Sequence, residues 1–181
     1  MMPNKEQFSD AEVAALRRLL DVVAIQEVML RYCRCADRND PELMKTIFWE
    51  DGTDNHGMYI GSATGFFERA YRNRDLLTAR YHLIGTPRAD FISDSQAKVE
   101  TYFHYAGAFV GEAGETFAQN GGRYRDLFER REGEWRVLHR VVVYDWALAT
   151  PYQPGWEFFG IPEGISRGTI EPVDATYSAD W

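Results

Sequence analysis

The chain has 181 residues, which is enough for one domain with a sizeable hydrophobic core. Hydrophobic residues make up 45% and charged residues 27%, a globular composition that excludes intrinsic disorder. Lys and Arg total 20 against 28 Asp and Glu, so the formal net charge is −8 and nucleic-acid binding through clustered basic residues is excluded.

Membrane and secretory segments are not expected. No apolar stretch approaches the roughly 20 residues of a membrane-spanning helix, and the first ten residues lack an apolar signal core. On a helix, Cys33 and Cys35 would point about 200° apart, which disfavours a disulfide between them. We therefore expect a cytoplasmic protein with free thiols and no membrane partner.

Helical periodicity dominates the first part of the chain. Ser9 or Asp10 is a suitable N-cap, and apolar residues then recur at helical spacing as far as Ala36. This stretch is one long helix or two helices broken near residues 21–23. Further helices are predicted over residues 42–49 and 63–79, with a turn at 51–52 and a short strand at 55–60 between them.

From residue 81 onwards the pattern changes to the alternation typical of strands. Val99, Thr101 and Phe103 share one face of a strand predicted over residues 97–110. Other strands are predicted over residues 81–92 (interrupted at 85–87), 123–131 and 135–147, with a hairpin turn at 132–134. Helices followed by an antiparallel meander predict an α+β fold, with the helices on one face of a curved sheet.

The chain divides into one domain and a tail. Residues 1–148 are expected to form the domain, and residues 149–181 form a tail rich in Pro and Gly. The tail carries more aromatic rings than a disordered segment would, including Trp156, Phe158 and Trp181. We expect it to pack on the same domain or on a neighbouring subunit.

Asp37, His82 and Tyr32 are candidates for chemistry because of where they fall. Asp37 ends the first predicted helix and His82 begins a strand. A histidine paired with a carboxylate serves as a general base, although a helix-terminating Asp and a strand His bonded to backbone are the structural alternatives. Tyr32 lies about 140° around the helix from Asp37, so both flank one cavity only if the helix crosses its mouth.

The last predicted strand carries a charge in an apolar setting. Arg140 must find a partner there, because burying a cation unpaired is costly. Asp145, Glu100 or a substrate anion are the candidates. If Arg140 faces outwards, His139 faces inwards and takes over anion binding. His104, on another strand, is free to face either way.

Familiar cofactor and metal motifs are missing from the sequence. There is no His-x-x-x-His, no Cys-x-x-Cys, no glycine-rich phosphate loop and no Gly-x-Ser-x-Gly. We therefore expect a site that works without a cofactor or a metal ion.

Three segments resemble the SnoaL-like branch of the nuclear-transport-factor-2-like superfamily: residues 25–38 (IQEVMLRYCRCADR), 80–84 (RYHLI) and 124–146 (YRDLFERREGEWRVLHRVVVYDW). The resemblance spans roughly residues 10–148. It implies a cone-shaped α+β barrel, in which N-terminal helices close a curved antiparallel sheet around a small-molecule pocket. Enzymes of this branch, such as scytalone dehydratase, hexachlorocyclohexane dehydrochlorinase and bile-acid 7α-dehydratase, eliminate water or HCl without a cofactor.

The resemblance also implies roles for individual residues. Asp37 and His82 match the acid–base pair of these enzymes, while Tyr32 and Arg140 match further residues of the bile-acid enzyme. The implied function is a dehydratase- or dehydrohalogenase-like lyase, or an isomerase, acting on a small cyclic, largely apolar molecule. A homo-oligomer, trimer or dimer, is expected. The alternatives are a non-catalytic small-molecule-binding protein and the small subunit of an aromatic-ring dioxygenase-type assembly.

Overall fold

The computed structural model describes residues 8–112, 114–162, 166–173 and 175–177. Trp181 and the first seven residues lie outside these ranges, so the predictions that involve them stay predictions. Within the described ranges, no helix is long and apolar enough to cross a membrane.

The longest helix, α1, runs over Asp10–Arg38. Its N-terminus is a capping box: the backbone N–H of Glu12 donates to the Ser9 hydroxyl, and the backbone N–H of Ser9 donates to the Glu12 carboxylate. Asn39 ends it in the left-handed conformation, with φ of 50°. The predicted start of the helix is confirmed.

Helix α1 continues through Asp21, so the alternative of two helices broken near residues 21–23 is wrong. Instead of capping a new helix, the Asp21 carboxylate accepts hydrogen bonds from the Trp135 indole at 2.8 Å and from Arg130 at 3.1 Å. These contacts attach the helix to the sheet and let an Asp remain in the helix interior.

The second helix is much shorter than predicted. Helix α2 covers Pro41–Met44, and strand β1 then covers Phe48–Asn55. The helix predicted over residues 42–49 and the turn at 51–52 are therefore wrong. Ile47 and Phe48 are fully or almost fully buried, so packing against the core overrides local helical propensity.

A short hairpin leads into the third helix. Strand β2 covers Ile60–Ser62 and pairs with β1, so the strand predicted over residues 55–60 is displaced. Ser62 caps helix α3, which covers Ala63–Arg72. A 3₁₀ turn at Arg74–Leu76 follows, and the chain turns to strand before residue 79.

The remaining strands are β3 (Leu77–Ile84), β4 (Arg88–Phe91), β5 (Gln96–Gly111), β6 (Gly114–Arg131) and β7 (Glu134–Pro151). The sheet order is β2-β1-β7-β6-β5-β3, with β4 also paired to β5. All pairings are antiparallel except β1 with β7, which is parallel. The α+β prediction with a curved sheet is confirmed, but the sheet does not close into a barrel.

The core lies between α1 and one face of the sheet. Helix α1 contacts β3 and β7. The helix contributes to the hydrophobic core a stripe of buried residues at helical spacing. The sheet contributes residues that alternate along its strands, such as Val99, Phe103 and Phe128. The buried stripe on α1 consists of Ile25, Val28, Met29, Tyr32 and Cys35.

Part of the tail lies against the end of α1. The Arg38 guanidinium donates to the Thr169 carbonyl at 2.7 Å, and the Asn39 amide donates to the Ile170 carbonyl at 2.8 Å. Farther up the tail, Phe158 and Phe159 are largely exposed. A contact between this aromatic stretch and a neighbouring subunit stays a prediction.

Candidate active site

The structure brings Asp37 and His82 into direct contact. His82 Nδ1 lies 2.5 Å from Asp37 Oδ1, and the backbone N–H of His82 donates to Asp37 Oδ2 at 3.0 Å. A carboxylate held in this way fixes the ring orientation and favours the tautomer with the proton on Nδ1. Nε2, on the side of the ring away from Asp37, then carries the lone pair that a general base needs.

Packing of α1 against β3 explains why these residues meet. Asp37 occupies the last turn of α1, where it is buried. On β3, Arg80, His82 and Ile84 alternate with the more exposed Tyr81 and Leu83. The alternation of the strand therefore directs His82 towards the helix end.

A cavity of about 740 Å³ lies next to this pair. His82 lines it, and Asp37 lies behind His82. The walls are predominantly apolar and aromatic, and the lining rings include Tyr32, Phe66, Phe67, Phe103, Phe109, Tyr105, Tyr124 and Tyr144. The volume and composition are typical of a site for a small organic molecule.

Tyr32 is part of the cavity wall and is 1% exposed. Its ring centroid lies 6.0 Å from that of His82 and 5.3 Å from that of Tyr124, both at edge-to-face angles. Burial raises the pKa of the Tyr32 phenol. The hydroxyl therefore keeps its proton at neutral pH and is available as a hydrogen-bond donor.

Arg140 faces the interior, but it lies beneath the cavity wall. Its Nε and Nη2 donate to the two carboxylate oxygens of Asp126 at 2.8 and 2.7 Å, and both side chains are fully buried. The guanidinium also lies 4.0 Å from the Tyr32 ring centroid and 4.3 Å from that of Tyr124. Burial alone would lower the pKa of Arg140, but Asp126 more than offsets this and raises it.

The two carboxylates predicted as partners of Arg140, Asp145 and Glu100, are therefore wrong. Asp145 pairs with Arg123 on the other side of the sheet, at 3.0 Å, and Glu100 lies 3.9 Å from the same arginine. His139 is exposed and lies 2.5 Å from the Thr53 hydroxyl, so it cannot take over anion binding in the cavity. A substrate anion is not needed to balance Arg140, because Asp126 already does so.

His104 points to the outer face of the sheet. Its Nε2 lies 3.2 Å from the Gln119 side-chain oxygen, and its ring lies 5.5 Å from the Trp146 ring. It does not line the cavity. The open question of its direction is thus settled in favour of the outward orientation.

Arg80 was not predicted as a site residue, yet it lines the cavity on the same strand face as His82. Its Nη2 donates to the Asn39 side-chain oxygen at 2.6 Å, and its buried Nε has no partner within the described residues. Burial lowers the pKa of the guanidinium. Arg80 and His82 are two residues apart on a strand, so their side chains share one face, and this spacing could have predicted the position of Arg80.

The two cysteines of the chain are poor candidates for catalysis. Cys33 and Cys35 are free and buried, and burial raises the pKa of both thiols to about 12. They are protonated and weakly nucleophilic at neutral pH. Across the described part of the chain, no group of three or more His, Cys, Asp and Glu side chains is arranged to hold a metal ion.

Family comparison agrees with this architecture. The model of the SnoaL-like domain matches residues 17–141, well over half of the chain. This chain belongs to the SnoaL-like domain family. No curated protein matches the sequence of this SnoaL-like chain.

Solved structures share its fold. A type-2 hexachlorocyclohexane dehydrochlorinase has a TM-score of 0.69 at 18% identity, covering 77% of this chain and 97% of that chain. A protein from Novosphingobium aromaticivorans assigned as a scytalone dehydratase has a TM-score of 0.63 at 20% identity, covering 77% and 93%. From the same species, the β subunit assigned to an aromatic-ring-hydroxylating dioxygenase has a TM-score of 0.58 at 22% identity, covering 71% and 92%. The TM-scores establish a common fold, and identities this low carry no further conclusion.

Proposed function

We propose that this SnoaL-like protein is a cofactor-independent lyase that eliminates water or hydrogen halide from a small cyclic, largely apolar molecule. The same proton abstraction, followed by return of the proton to another carbon, would make it an isomerase. The observation that carries the proposal is the contact of His82 with both oxygens of Asp37 at the wall of an aromatic cavity. The fold shared with a dehydrochlorinase supports it.

In the proposed reaction, His82 Nε2 removes a proton from carbon. Asp37 holds the opposite ring nitrogen and stabilises the imidazolium that forms. The apolar walls lower the local dielectric constant, so this charge–charge interaction is stronger than it would be in water. Asp37 does not line the cavity, and its contribution passes through His82.

Negative charge that develops on the substrate must be stabilised by a hydrogen-bond donor. The buried Tyr32 hydroxyl is one candidate, and the Arg80 guanidinium, whose Nε has no partner among the described residues, is another. Donors fixed in advance at such a position stabilise an oxyanion without reorganisation. We assign Arg140 a positioning role, because it contacts the rings of Tyr32 and Tyr124 and is held by Asp126.

The decisive experiment measures turnover with two substrates, 3-hydroxycyclohexanone for loss of water and a chlorinated cyclohexane for loss of HCl. His82→Gln and Asp37→Asn should each lower kcat/KM by about 10²- to 10⁴-fold, which is the usual contribution of a general base. His139→Gln is the matched control, since His139 is exposed and lies outside the cavity. Full activity of either His82→Gln or Asp37→Asn would contradict the mechanism.

A non-catalytic binding protein is the second candidate, because the same cavity could hold a ligand with the Asp37–His82 pair as a polar anchor. Mass analysis of a ligand incubated with the protein separates the two functions. A product lighter by one water or one HCl supports the lyase, whereas an unchanged bound ligand supports the binding protein. Stable copurification with a larger iron-containing chain would instead support a dioxygenase-type small subunit, whose fold is shared.

We also infer that the protein acts as a homo-oligomer, a trimer or a dimer, in the cytoplasm. Free thiols at Cys33 and Cys35 are compatible with a reducing compartment. Large apolar side chains exposed on the outer face of the sheet offer a surface for self-association.

A further inference from the structure

A second histidine–carboxylate pair faces the same cavity. His56 Nδ1 is hydrogen-bonded to Asp54 Oδ1, and the two side chains are 9% and 0% exposed. His56 lines the cavity, and its ring stacks on Phe66 with centroids 3.9 Å apart and planes 13° apart. The pair lies at the end of β1, whereas the Asp37–His82 pair lies at the end of α1 and on β3.

The backbone at His56 is also held in place. Its N–H donates to the Tyr59 carbonyl at 2.9 Å, which closes the turn between β1 and β2. With Nδ1 facing Asp54 and one ring face covered by Phe66, Nε2 is the atom available to a bound molecule. This is the same arrangement of carboxylate, ring and cavity that surrounds His82.

The surroundings of the two pairs differ in charge. Asp54 and Asp126 are the register neighbours of Arg140 on either side, so two buried carboxylates flank one buried guanidinium. Arg140 binds Asp126 through two hydrogen bonds, whereas Asp54 Oδ2 has no partner among the described residues. The cluster therefore carries one excess negative charge, which a proton on both ring nitrogens of His56 would neutralise.

We propose that His56, held by Asp54, is the general acid that protonates the leaving group, while His82 removes the proton from carbon. This inference rests on the proposed lyase function and narrows its substrate class to alcohols. Hydroxide is a far poorer leaving group than chloride, so its departure is strongly assisted by a proton, whereas chloride departs readily without one. A second pair dedicated to proton donation is therefore of use to a dehydratase.

The step balances without a cofactor. The C–H bond breaks and its proton goes to His82 Nε2, while the electron pair of that bond forms the new C=C bond. The C–O bond breaks, its electron pair stays on oxygen, and the oxygen takes a proton from His56 Nε2 to leave as water. Transfer of the extra proton from His82 back to His56 through solvent restores the starting state.

Two substrates distinguish the role of the general base from that of the general acid. Ring opening of 5-nitrobenzisoxazole needs a proton removed from carbon, and its oxygen leaves as a stable phenolate that needs no acid. Dehydration of 3-hydroxycyclohexanone needs both steps. His82→Gln should lower both rates, whereas His56→Gln should lower dehydration by about 10²- to 10⁴-fold and ring opening by less than about threefold. His139→Gln again serves as the matched control.

The outcomes distinguish the two proposals. Unchanged rates in His82→Gln overturn the lyase function itself. A His56→Gln variant that dehydrates as fast as the wild type, or that loses both rates equally, overturns the acid role and leaves the base intact. A substrate-free check uses ¹⁵N NMR of the wild-type histidines: we expect a proton on Nδ1 of His56, which the contact with Asp54 Oδ1 favours, and a lone pair on Nδ1 would overturn the role of Asp54 in holding the ring.

Discussion

Arg140 illustrates how this fold handles a buried charge. The side chain is fully inaccessible to solvent, and its guanidinium lies between Asp126, Met29 and the rings of Tyr32 and Tyr124. Removing one partner of such a pair leaves the other charge buried without compensation, which typically costs about 3–5 kcal/mol. Replacing both partners with apolar residues avoids that penalty.

We therefore predict that Arg140→Met lowers the free energy of unfolding by about 3–5 kcal/mol. The double variant Arg140→Met/Asp126→Leu should recover much of this loss. Urea unfolding of the wild type, the two single variants and the double variant gives the interaction energy. If the double variant is as unstable as Arg140→Met, the ion pair does not account for the loss.

The part of the site that depends on short sequence segments could be predicted. Asp37 and His82 stood out because each ends or begins an element, and the family resemblance paired them. The partner of Arg140 could not be predicted, because it depends on strand register. Extending the register next to the hairpin turn, where Phe128 faces Val137, would place Arg125 opposite Arg140, and a bulge shifts the pairing by one residue to Asp126.

At the scale of elements, the irregularities of β6 and β7 shape the sheet. A second register shift falls between Gly121 and Gly122, in the middle of a strand that was predicted to begin only at residue 123. A side chain at Gly122 would overlap the backbone carbonyl of Val143 on the neighbouring strand. Glycine is required here because two backbones approach closely, which is a common role of glycine in strands.

We predict that Gly122→Ala lowers the free energy of unfolding by about 1–3 kcal/mol, the usual range for overpacking an interior that cannot yield. The control is Gly85→Ala, since a methyl group there would meet only atoms of Tyr102 at an ordinary 3.8 Å. Thermal unfolding of both variants provides the measurement. Equal midpoints for the two would show that the strands adjust to a methyl group at the bulge.

Strand β5 and the hairpin turn between β6 and β7 were predicted more accurately than the short elements. The alternation predicted over 97–110 and the hairpin turn predicted at 132–134 are both present, and Glu132 and Gly133 in that turn have positive φ. The region of α2 and β1 was mispredicted, because Ile47 and Phe48 are buried by long-range contacts that a local pattern does not contain. Short segments carry too few residues for periodicity to outweigh such packing.

The outer face of the sheet exposes several large apolar side chains. Leu83, His104, Gly121 and Trp146 form one row across β3, β5, β6 and β7, and the next row ends in Tyr81 and Leu148. Four of these side chains are about half exposed: Tyr81 at 52%, Leu83 at 55%, Trp146 at 46% and Leu148 at 53%. Several large apolar side chains exposed on one face of a sheet mark an interaction site in many proteins.

We predict that this face is the interface between copies of the chain. The wild type should sediment at two or three times the chain mass of 20.9 kDa, and Leu83→Lys/Leu148→Lys should sediment at one chain mass. Symmetric association repeats each lysine on every subunit, so like charges would accumulate in an apolar contact.

Ile92→Lys, at a side chain 52% exposed beyond β4, is the matched control and should keep the wild-type mass. Sedimentation equilibrium over a range of concentrations measures all three proteins. A wild type that stays at one chain mass refutes self-association, and an oligomeric double variant would place the interface on another surface.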